Sequence, residues 1–304
     1  MGDQPSNLQL LDYLAQEFVR NGWSTKKLVR EIILTRAYRL GTEIPAGYRD
    51  IDPADRLIWR HAPRRLGAEE IRDSILASSG QLDLNHPSGS PSMNLRMIEI
   101  FDDGPVVKSI LNAADAFRYR SIYLPQLRGE TPRPLAAFDP VTQTLVTGQR
   151  DETTVPTQAL FMLNSPFVRE QSLNFANTLI ATKFSTPENG IRYAYERVLS
   201  RDPGPQETLR AKAFLSRYSA TWLKTHPGSP VRDKPLVTRV SATTSDITAG
   251  IVREDNRGQD DPDDTTKETT EEAKDTVHPD NAQQAAWAAF VQALYGSAEF
   301  QFAR

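Results

Sequence analysis

Four prolines directly precede runs in which apolar residues recur at helical spacing, and this pattern constrains the fold of the 304-residue chain more than any other feature. They are Pro156, Pro166, Pro187 and Pro205. Proline has no backbone N–H and a fixed φ angle, so it suits the first turn of a helix and disrupts a helix interior. Each proline therefore predicts a helix start, and we expect a mainly α-helical, multi-helix domain with a small β element.

The stretch from Thr153 to Val168 holds two of these starts in series. We interpret it as a joint between a strand layer and a helical layer, because the prolines and the apolar spacing are explained without invoking any chemistry. The alternative is a binding site, in which the polar side chains would contact a ligand. Its candidate residues are Thr157, Gln158 and Asn164, beside Thr153.

Cap residues predict further helices in the N-terminal third. Asn7 or Ser6 and then Ser24 suit the starts of two helices that form a hairpin around Gly22-Trp23. Asp52-Pro53 predicts a third helix through Arg60, and a fourth should run over 68–79 until Gly80 stops it.

The predicted β element is centred on residues 118–127, where side chains alternate between two faces until Pro125. Residues 135–138 and 144–146 are weaker candidates for its partner strands, and 97–101 is strand-like. The sheet is expected to be small because the rest of the chain has helical periodicity.

Residues 225–280 interrupt this pattern, since they are rich in Thr, Asp, Glu and Pro and poor in aromatic residues. Such a composition buries too little apolar area to offset the entropy of ordering, which predicts a long disordered acidic insert. An apolar helix resumes over 282–300 and should dock on the helices before the insert. We therefore expect one helical domain formed by residues 1–224 and 281–304.

The formal charge of −3 is unevenly distributed along the chain. Residues 251–280 hold eleven acidic and four basic side chains, so the remainder carries a mild positive charge of +4. A dedicated nucleic-acid-binding protein is expected to have a strongly basic face. The charge distribution therefore argues against nucleic acid as a partner.

Metal and cofactor sites find little support in the sequence. The chain has no cysteine, and no two of its four histidines have the spacing of a zinc or di-iron site. The acidic run 260–264 lacks the alternation and the terminal glutamate of a calcium loop. We predict no bound metal and no cofactor. Neither a signal peptide nor an apolar run long enough to span a membrane is visible.

A cluster of arginines is the strongest candidate for binding an anionic ligand. Arginine forks hold carboxylates and phosphates, and a tryptophan can stack on a ligand. The structural alternative is that Glu69, Glu70 and Asp73 pair with these arginines and leave nothing for a ligand. The candidate residues are Arg56, Trp59, Arg60, Arg64 and Arg65, with Arg120 and Tyr123 on the predicted strand.

No catalytic motif is present: the sequence contains no G-x-S-x-G nucleophile elbow and no glycine-rich phosphate loop. Carboxylates that could serve a hydrolase exist, but no spacing selects a pair of them.

Several segments in order resemble the C-terminal domain of unknown function in large planctomycete proteins, sometimes called planctomycete-specific domain one. The resemblance covers nearly the whole chain except the insert. The segments that carry it are Leu10–Ala15, Gly22–Leu28, Asp55–Arg60 with Arg64–Leu66, Glu70–Asp73, Arg120–Pro125, Thr153–Phe167 and Ala286–Phe300.

This resemblance implies a modular, extracytoplasmic protein in which the domain often accompanies a cytochrome-c-like haem module. It implies no known reaction and no catalytic residues. Compared with the family, the chain is expected to lack the N-terminal portion before Leu10, and it has no haem-binding cysteine motif.

The function that follows is a non-catalytic scaffold or binding module of a larger assembly. One alternative is a hydrolase or binding protein acting on polysaccharide, with a site where residues 56–73, the 119–127 strand and the Pro156 turn meet. The other is a helper for a cytochrome-c-like electron-transfer partner.

Overall fold

The computed structural model describes residues 4–88, 114, 116–125, 131–140, 153–226 and 278–303. Most of the predicted insert lies outside these residues, as do the strand candidates at 97–101 and 144–146. The chain divides into two compact units, residues 1–65 with 302–304 and residues 66–301. The description below takes each unit by itself, and the predicted boundaries of the family domain stay a prediction.

The first unit begins with a helical hairpin, as predicted. Helix α1 covers Leu8–Arg20 and helix α2 covers Thr25–Leu34. The side chain of Asn7 accepts a hydrogen bond from the N–H of Leu10 at 2.9 Å, which satisfies a donor that the helix leaves unpaired. Gly22 turns the chain with a φ of 67°, a conformation that favours glycine.

Neither helix of this hairpin buries a residue fully. Leu14 and Phe18 of α1 and Leu28 and Ile32 of α2 are half-buried. The ring of Trp23 meets that of Phe18 edge-on, with centroids 5.3 Å apart. The predicted helical apolar pattern is therefore present, but much of it stays exposed.

The predicted third helix, from Asp52-Pro53 through Arg60, is wrong. A one-turn helix, α3, covers Tyr48–Ile51 instead, and residues 53–60 form successive turns. Asp52 does not start a helix; it follows the end of α3, and its carboxylate accepts the N–H groups of Arg56 at 3.1 Å and Leu57 at 2.8 Å. Asp55 and Ile58 have positive φ angles of 54° and 55°, which interrupt any helix here.

The small β element exists, but at a different place from the one predicted. Strand β1, Arg64–Arg65, pairs in antiparallel register with strand β2, Phe302–Ala303. Arg64 lies opposite Ala303 and Arg65 opposite Phe302. This pairing joins residues far apart in sequence, so local alternation could not have predicted it.

The second unit is built from helices, most of them at their predicted positions. Helix α4 begins at Ala68 and ends at Ser79, where Gly80 has a φ of 75°. Further helices with both ends in the described part of the chain are α5 (Arg133–Ala136), α6 (Pro156–Asn164), α7 (Pro166–Ala181), α8 (Pro187–Leu199), α9 (Pro205–Thr225) and α10 (Ala282–Tyr295), followed by a 3₁₀ turn at Ala298–Gln301.

Two parts of the predicted sheet are wrong in this unit. Residues 121–123 form a 3₁₀ turn rather than a strand, and of 118–125 only Tyr119 makes a β-bridge, to Asp83. The candidate partner 135–138 belongs instead to α5 and the turn after it. Instead of bonding across a ladder, the N–H of Ser121 donates to the side chain of Asp73, and other N–H groups bond within local turns, including those of Tyr123, Leu124, Leu135, Ala136 and Phe138.

The core of the second unit centres on α7 and α10, which pack along each other. Residues with almost no exposed surface come from both helices, including Phe175 and Ala176 of α7 and Val291 and Tyr295 of α10. Helix α10 also packs against α9, which confirms the expected docking of the last helix on those before the insert.

Helix α9 leaves much of its apolar surface exposed. Its apolar residues Leu209, Phe214 and Tyr218 are exposed, and Ala211 is the residue of this helix that is fully buried. The helix still contacts the core through Leu215 and through Phe214, whose ring centroid lies 6.3 Å from that of Phe290.

Polar side chains fix α10 in position along its length. The amide of Gln284 donates to Asn177 Oδ1 at 2.5 Å near the N-terminal end of α10. Towards the other end, the amide of Gln292 donates to the carbonyl oxygens of Met162 at 3.0 Å and Leu163 at 2.8 Å, which close α6. Among the helices of the described residues, none has the length and apolarity needed to cross a membrane.

Candidate functional site: a groove beside Phe161

The ten predicted site residues fall into two groups of five. Those of the arginine cluster belong to the first unit: Arg56, Trp59, Arg60, Arg64 and Arg65. The others belong to the second unit: Arg120, Tyr123, Thr157, Gln158 and Asn164.

In the first unit, Trp59 and Arg60 are held by the turns that replace the predicted helix. Trp59 donates from its indole Nε1 to the carbonyl of Asp52 at 3.1 Å, and its ring packs against Tyr48. The guanidinium of Arg60 lies 5.0 Å from the Trp59 ring centre and 3.9 Å from the carboxylate of Asp55. One face of the Trp59 ring, which the sequence suggested could stack on a ligand, is therefore already covered.

The other arginines of the cluster differ in exposure. Arg56 and Arg64 are exposed, and Arg65 is half-buried. A guanidinium nitrogen of Arg64 donates to the carbonyl of Arg65 at 3.3 Å. These arginines lie in the turns and in β1 of the first unit. No helix arranges them along one face.

Arg72 and Asp73 organise the part of the second unit that contains Ser121. The carboxylate of Asp73 accepts from the N–H of Ser121 at 2.8 Å and from its hydroxyl at 2.6 Å. Ser121 in turn accepts from Arg72 at 3.1 Å. Asp73, a predicted partner of the arginine cluster, thus binds Ser121. These bonds stabilise the turn at residues 121–123.

The guanidinium of Arg72 is almost completely buried, with 1% of the residue exposed. It donates to the carbonyl oxygens of Phe117, Tyr119 and Ala114, and it lies over the ring of Phe167 at 5.4 Å. Sequence reasoning missed this role, although a signal exists: residue 72 lies one helical turn after Ala68, on the apolar face of α4.

Arg120 and Tyr123 flank this turn. Arg120 is exposed, whereas Tyr123 is half-buried and its ring meets that of His86 at 4.9 Å. Arg120 is therefore open to solvent, while Tyr123 is held against His86.

The joint predicted between Thr153 and Val168 consists of two helix starts in series, as expected. Gln158, which is 2% exposed, donates from its side chain to the carbonyl of Thr153 at 3.1 Å. Thr153 is fixed at its other end by Asp139, whose carboxylate accepts the N–H at 2.8 Å and the hydroxyl at 2.8–2.9 Å. Asn164 is exposed at the end of α6.

A groove of about 710 Å³ opens beside this joint, and we call it the Phe161 groove. The rings of Phe161 and Phe138 meet edge-on at 5.5 Å below it, and Thr157 is the one predicted site residue in its lining. The described lining residues are Arg133, Pro134, Ala136, Ala137, Asp139, Val155, Thr157, Leu160, Phe161, Ser165, Pro166 and Phe167.

The groove is suited to binding rather than to acid–base chemistry. Asp139 is the single carboxylate among its described lining residues, and both of its oxygens accept bonds from Thr153. Across the described part of the chain, no group of three or more histidine, aspartate and glutamate side chains is arranged to hold a metal ion. The groove could hold an apolar ligand, with Arg133 and Asp139 as charged groups beside it.

A second, smaller cavity of about 350 Å³ lies between α7, α8, α9 and α10. Its wall includes Phe184 and Trp287, where the close approach of the Trp287 ring leaves Gly190 no room for a Cβ without movement of its neighbours. None of the ten predicted site residues lines it.

A charged cluster around Arg201 lies away from both cavities. Arg201 binds Glu207 at 2.7–2.8 Å and Glu299 at 2.6–2.8 Å, and its guanidinium lies over the Tyr195 ring. These bonds to Arg201 lower the pKa of Glu207 to about 2. Because the triad joins the start of α9 to the C-terminal 3₁₀ turn, its role is to hold these elements together.

Comparison with known proteins identifies a family and no described activity. No curated protein matches the chain, and no solved structure matches it. A family model does match, over residues 1–215, which is more than half of the chain. On the strength of that match, the chain belongs to PSD1, a family described as protein of unknown function (DUF1553).

Proposed function

We propose that this chain is a non-catalytic binding module that holds an apolar segment of a neighbouring domain in the Phe161 groove. The observation that carries the proposal is the contrast within the joint. The polar side chains of Thr153 and Gln158 are bonded to the fold, while the groove beside them is lined largely by apolar side chains, among them Leu160, Phe161 and Phe167. An apolar groove of this size suits an inserted apolar side chain or helix face.

The setting of this module is a larger extracytoplasmic assembly. This part of the proposal is supported by the resemblance to planctomycete proteins in which such a domain is one of several. A neighbouring domain would then be present at high local concentration, so even a weak contact in the groove would be occupied.

The groove favours binding over polysaccharide hydrolysis. A glycoside hydrolase uses two carboxyl groups on either side of the scissile bond, whereas the described lining offers Asp139 alone. The helper role for a cytochrome-c-like partner would use the same surface with a different occupant.

The first test uses the dye 1-anilinonaphthalene-8-sulfonate as an apolar probe of the native chain. Leu160 lines the groove, and Leu163 on the same helix does not; they are 54% and 58% exposed. We expect Leu160→Asp to lower saturable dye fluorescence several-fold more than Leu163→Asp. Equal effects of the two variants, at unchanged melting temperature, would rule out the groove as the binding site.

The second test separates the alternatives. A ligand that binds the native state raises its melting temperature, so the chain is titrated with a sulfated polysaccharide, a neutral polysaccharide and a c-type cytochrome. A saturable shift with the sulfated polysaccharide that Arg64→Glu removes would favour the polysaccharide alternative. A shift with the cytochrome that Leu160→Asp removes would identify the helper role.

A further inference from the structure

An apolar stripe remains uncovered on the hairpin of α1 and α2. Leu8, Leu11 and Val19 of α1 are 63%, 52% and 52% exposed, and Val29 and Ile33 of α2 are 50% and 41% exposed. Both helices are amphipathic, so this exposure concerns the side of each helix that normally faces a core. An apolar surface of this kind indicates an interaction site.

Helical geometry places the two halves of the stripe on one side of the hairpin. Leu8, Leu11 and Val19 follow one another at helical spacing, as do Val29 and Ile33. Both sets lie about a quarter-turn from the half-buried residues through which the helices contact each other, and the antiparallel arrangement turns both in the same direction. They therefore lie on one side of the hairpin, which on α1 also carries the exposed Asp12, one helical turn after Leu8.

Cationic side chains border this surface on the α2 side. Residues 7–40 contain six basic and three acidic side chains, and Lys26 and Arg30 follow Val29 and Ile33 around α2. Two of the acidic side chains are engaged locally, since Glu17 accepts from Arg20 and Glu31 from Asn21. Within the described residues, Lys26 and Arg30 have no acidic partner.

Trp23 stands at the tip of the hairpin. It is 68% exposed and has a φ of 59°, an uncommon conformation for a bulky residue. Tryptophan is enriched at the boundary between lipid and water, because its ring is apolar and its N–H is polar.

We propose that the α1–α2 hairpin is a membrane-surface anchor that lies in the interface of an anionic bilayer. Its apolar stripe would enter the boundary between headgroups and acyl chains, while Lys26 and Arg30 extend to lipid phosphates. A lipid surface fits better than a protein partner because it covers a long convex stripe without needing a complementary shape. The cationic border selects anionic headgroups.

Vesicle co-sedimentation of the full chain tests this anchor. The probes are vesicles of phosphatidylcholine alone and vesicles that also contain phosphatidylglycerol. We expect binding to the anionic vesicles that weakens as salt is raised, and at least ten-fold weaker binding to neutral vesicles. Equal binding to both compositions, or binding to neither, would overturn the proposal.

Two variants and a matched control locate the surface. Ile33→Glu should weaken binding roughly ten-fold by placing a charge in the apolar stripe, and Lys26→Glu/Arg30→Glu should weaken it still more. The control is Leu209→Glu, which changes an apolar side chain of α9 that is 59% exposed and should leave binding unchanged. Circular dichroism verifies that each variant keeps its helix content.

The main competing occupant is a second copy of the chain. Sedimentation equilibrium without vesicles would then show a dimer that Ile33→Glu dissociates, and this result would replace the membrane by a self-association surface. A loss of vesicle binding in Leu209→Glu equal to that in Ile33→Glu would likewise contradict the assignment to the hairpin.

Discussion

The α1–α2 hairpin and the α7–α10 pair both carry apolar residues at helical spacing, yet those of the hairpin are largely exposed and those of the pair are largely buried. In α7, the apolar residues Phe175 and Leu179 have at most 3% of their surface exposed, while in α1 the residues Leu8 and Leu11 are more than half exposed. Helical periodicity therefore reports which side of a helix is apolar, and a neighbour must still be present to cover it. The second unit supplies that neighbour in α10, and within the first unit the hairpin buries only the side where its two helices meet.

The largest expected difference between the two regions is in the free energy of unfolding lost when an apolar residue of each is truncated to alanine. Phe175→Ala should destabilise the second unit by about 3–5 kcal/mol, because it removes a fully buried ring and leaves a cavity. Leu11→Ala should cost less than about 1 kcal/mol because half of that side chain is already in water. Urea denaturation of both variants measures the two costs, and similar values would break the comparison.

Arg72 provides a polar version of the same contrast. Arg72→Met should cost about 2–4 kcal/mol, because the carbonyl oxygens of Phe117 and Tyr119 lose the donors of the guanidinium. The exposed Arg120 is the matched control, and Arg120→Met should stay within about 0.5 kcal/mol of the wild type. If both variants melt together with the wild type, Arg72 contributes nothing that a methionine cannot replace.

Asp52 sharpens the description of the first unit, where polar turns replace a buried core. Asp52→Ala should cost about 1–2 kcal/mol locally, since the N–H groups of Arg56 and Leu57 lose their acceptor. Hydrogen exchange should accelerate at these two amides, while amides of α7 keep their protection. Asp50→Ala, at an exposed position on α3, should change neither; unaltered exchange in the Asp52 variant would show that the turns form without it.

The smallest effect concerns pH and the triad around Arg201. The folded pKa of Glu207, about 2, lies below its ordinary value of 4.5, so the stabilisation is present above pH 4.5 and is lost as pH falls towards 2. Because the pair is partly exposed, we expect about 1 kcal/mol.

Melting temperatures measured from pH 7 to pH 2 test this pH dependence. The melting temperature of Glu207→Gln should fall less steeply with decreasing pH than that of the wild type. The variant lacks the carboxylate whose protonation lowers the stability of the wild type. Glu196→Gln, which removes an exposed partner of Arg192, is the control and should follow the wild-type curve. If the melting temperatures of the wild type and Glu207→Gln fall in parallel with pH, the loss of stability in acid comes from other groups.

Local signals predicted most of the helices and few of the connections between them. Pro156, Pro166, Pro187 and Pro205 each begin a helix, and Gly80 ends one, because proline and glycine constrain the backbone whatever surrounds them. Asp52-Pro53 failed as a helix signal because an aspartate can cap a turn as well as a helix.

The strand and the candidate site depend on contacts that sequence spacing does not reveal. Residues 118–127 alternate like a strand, but Asp73 takes the N–H of Ser121 that a ladder would need. Thr157 was predicted as a site residue and lines the groove. Asp139 also lines the groove but was not predicted as a site residue. Asp139 reaches the joint only through its contact with Thr153, fourteen positions later.

The packing of α10 has a consequence for the time course of synthesis. Helix α9 ends at Thr225 and α10 begins at Ala282, so the ribosome must add more than fifty residues before the helix that covers α7 exists. At roughly 5–20 residues per second, this takes about three to eleven seconds. During that interval, the nascent chain has to carry the uncovered side of α7, including Phe175, and we expect this interval to be when it most needs a chaperone.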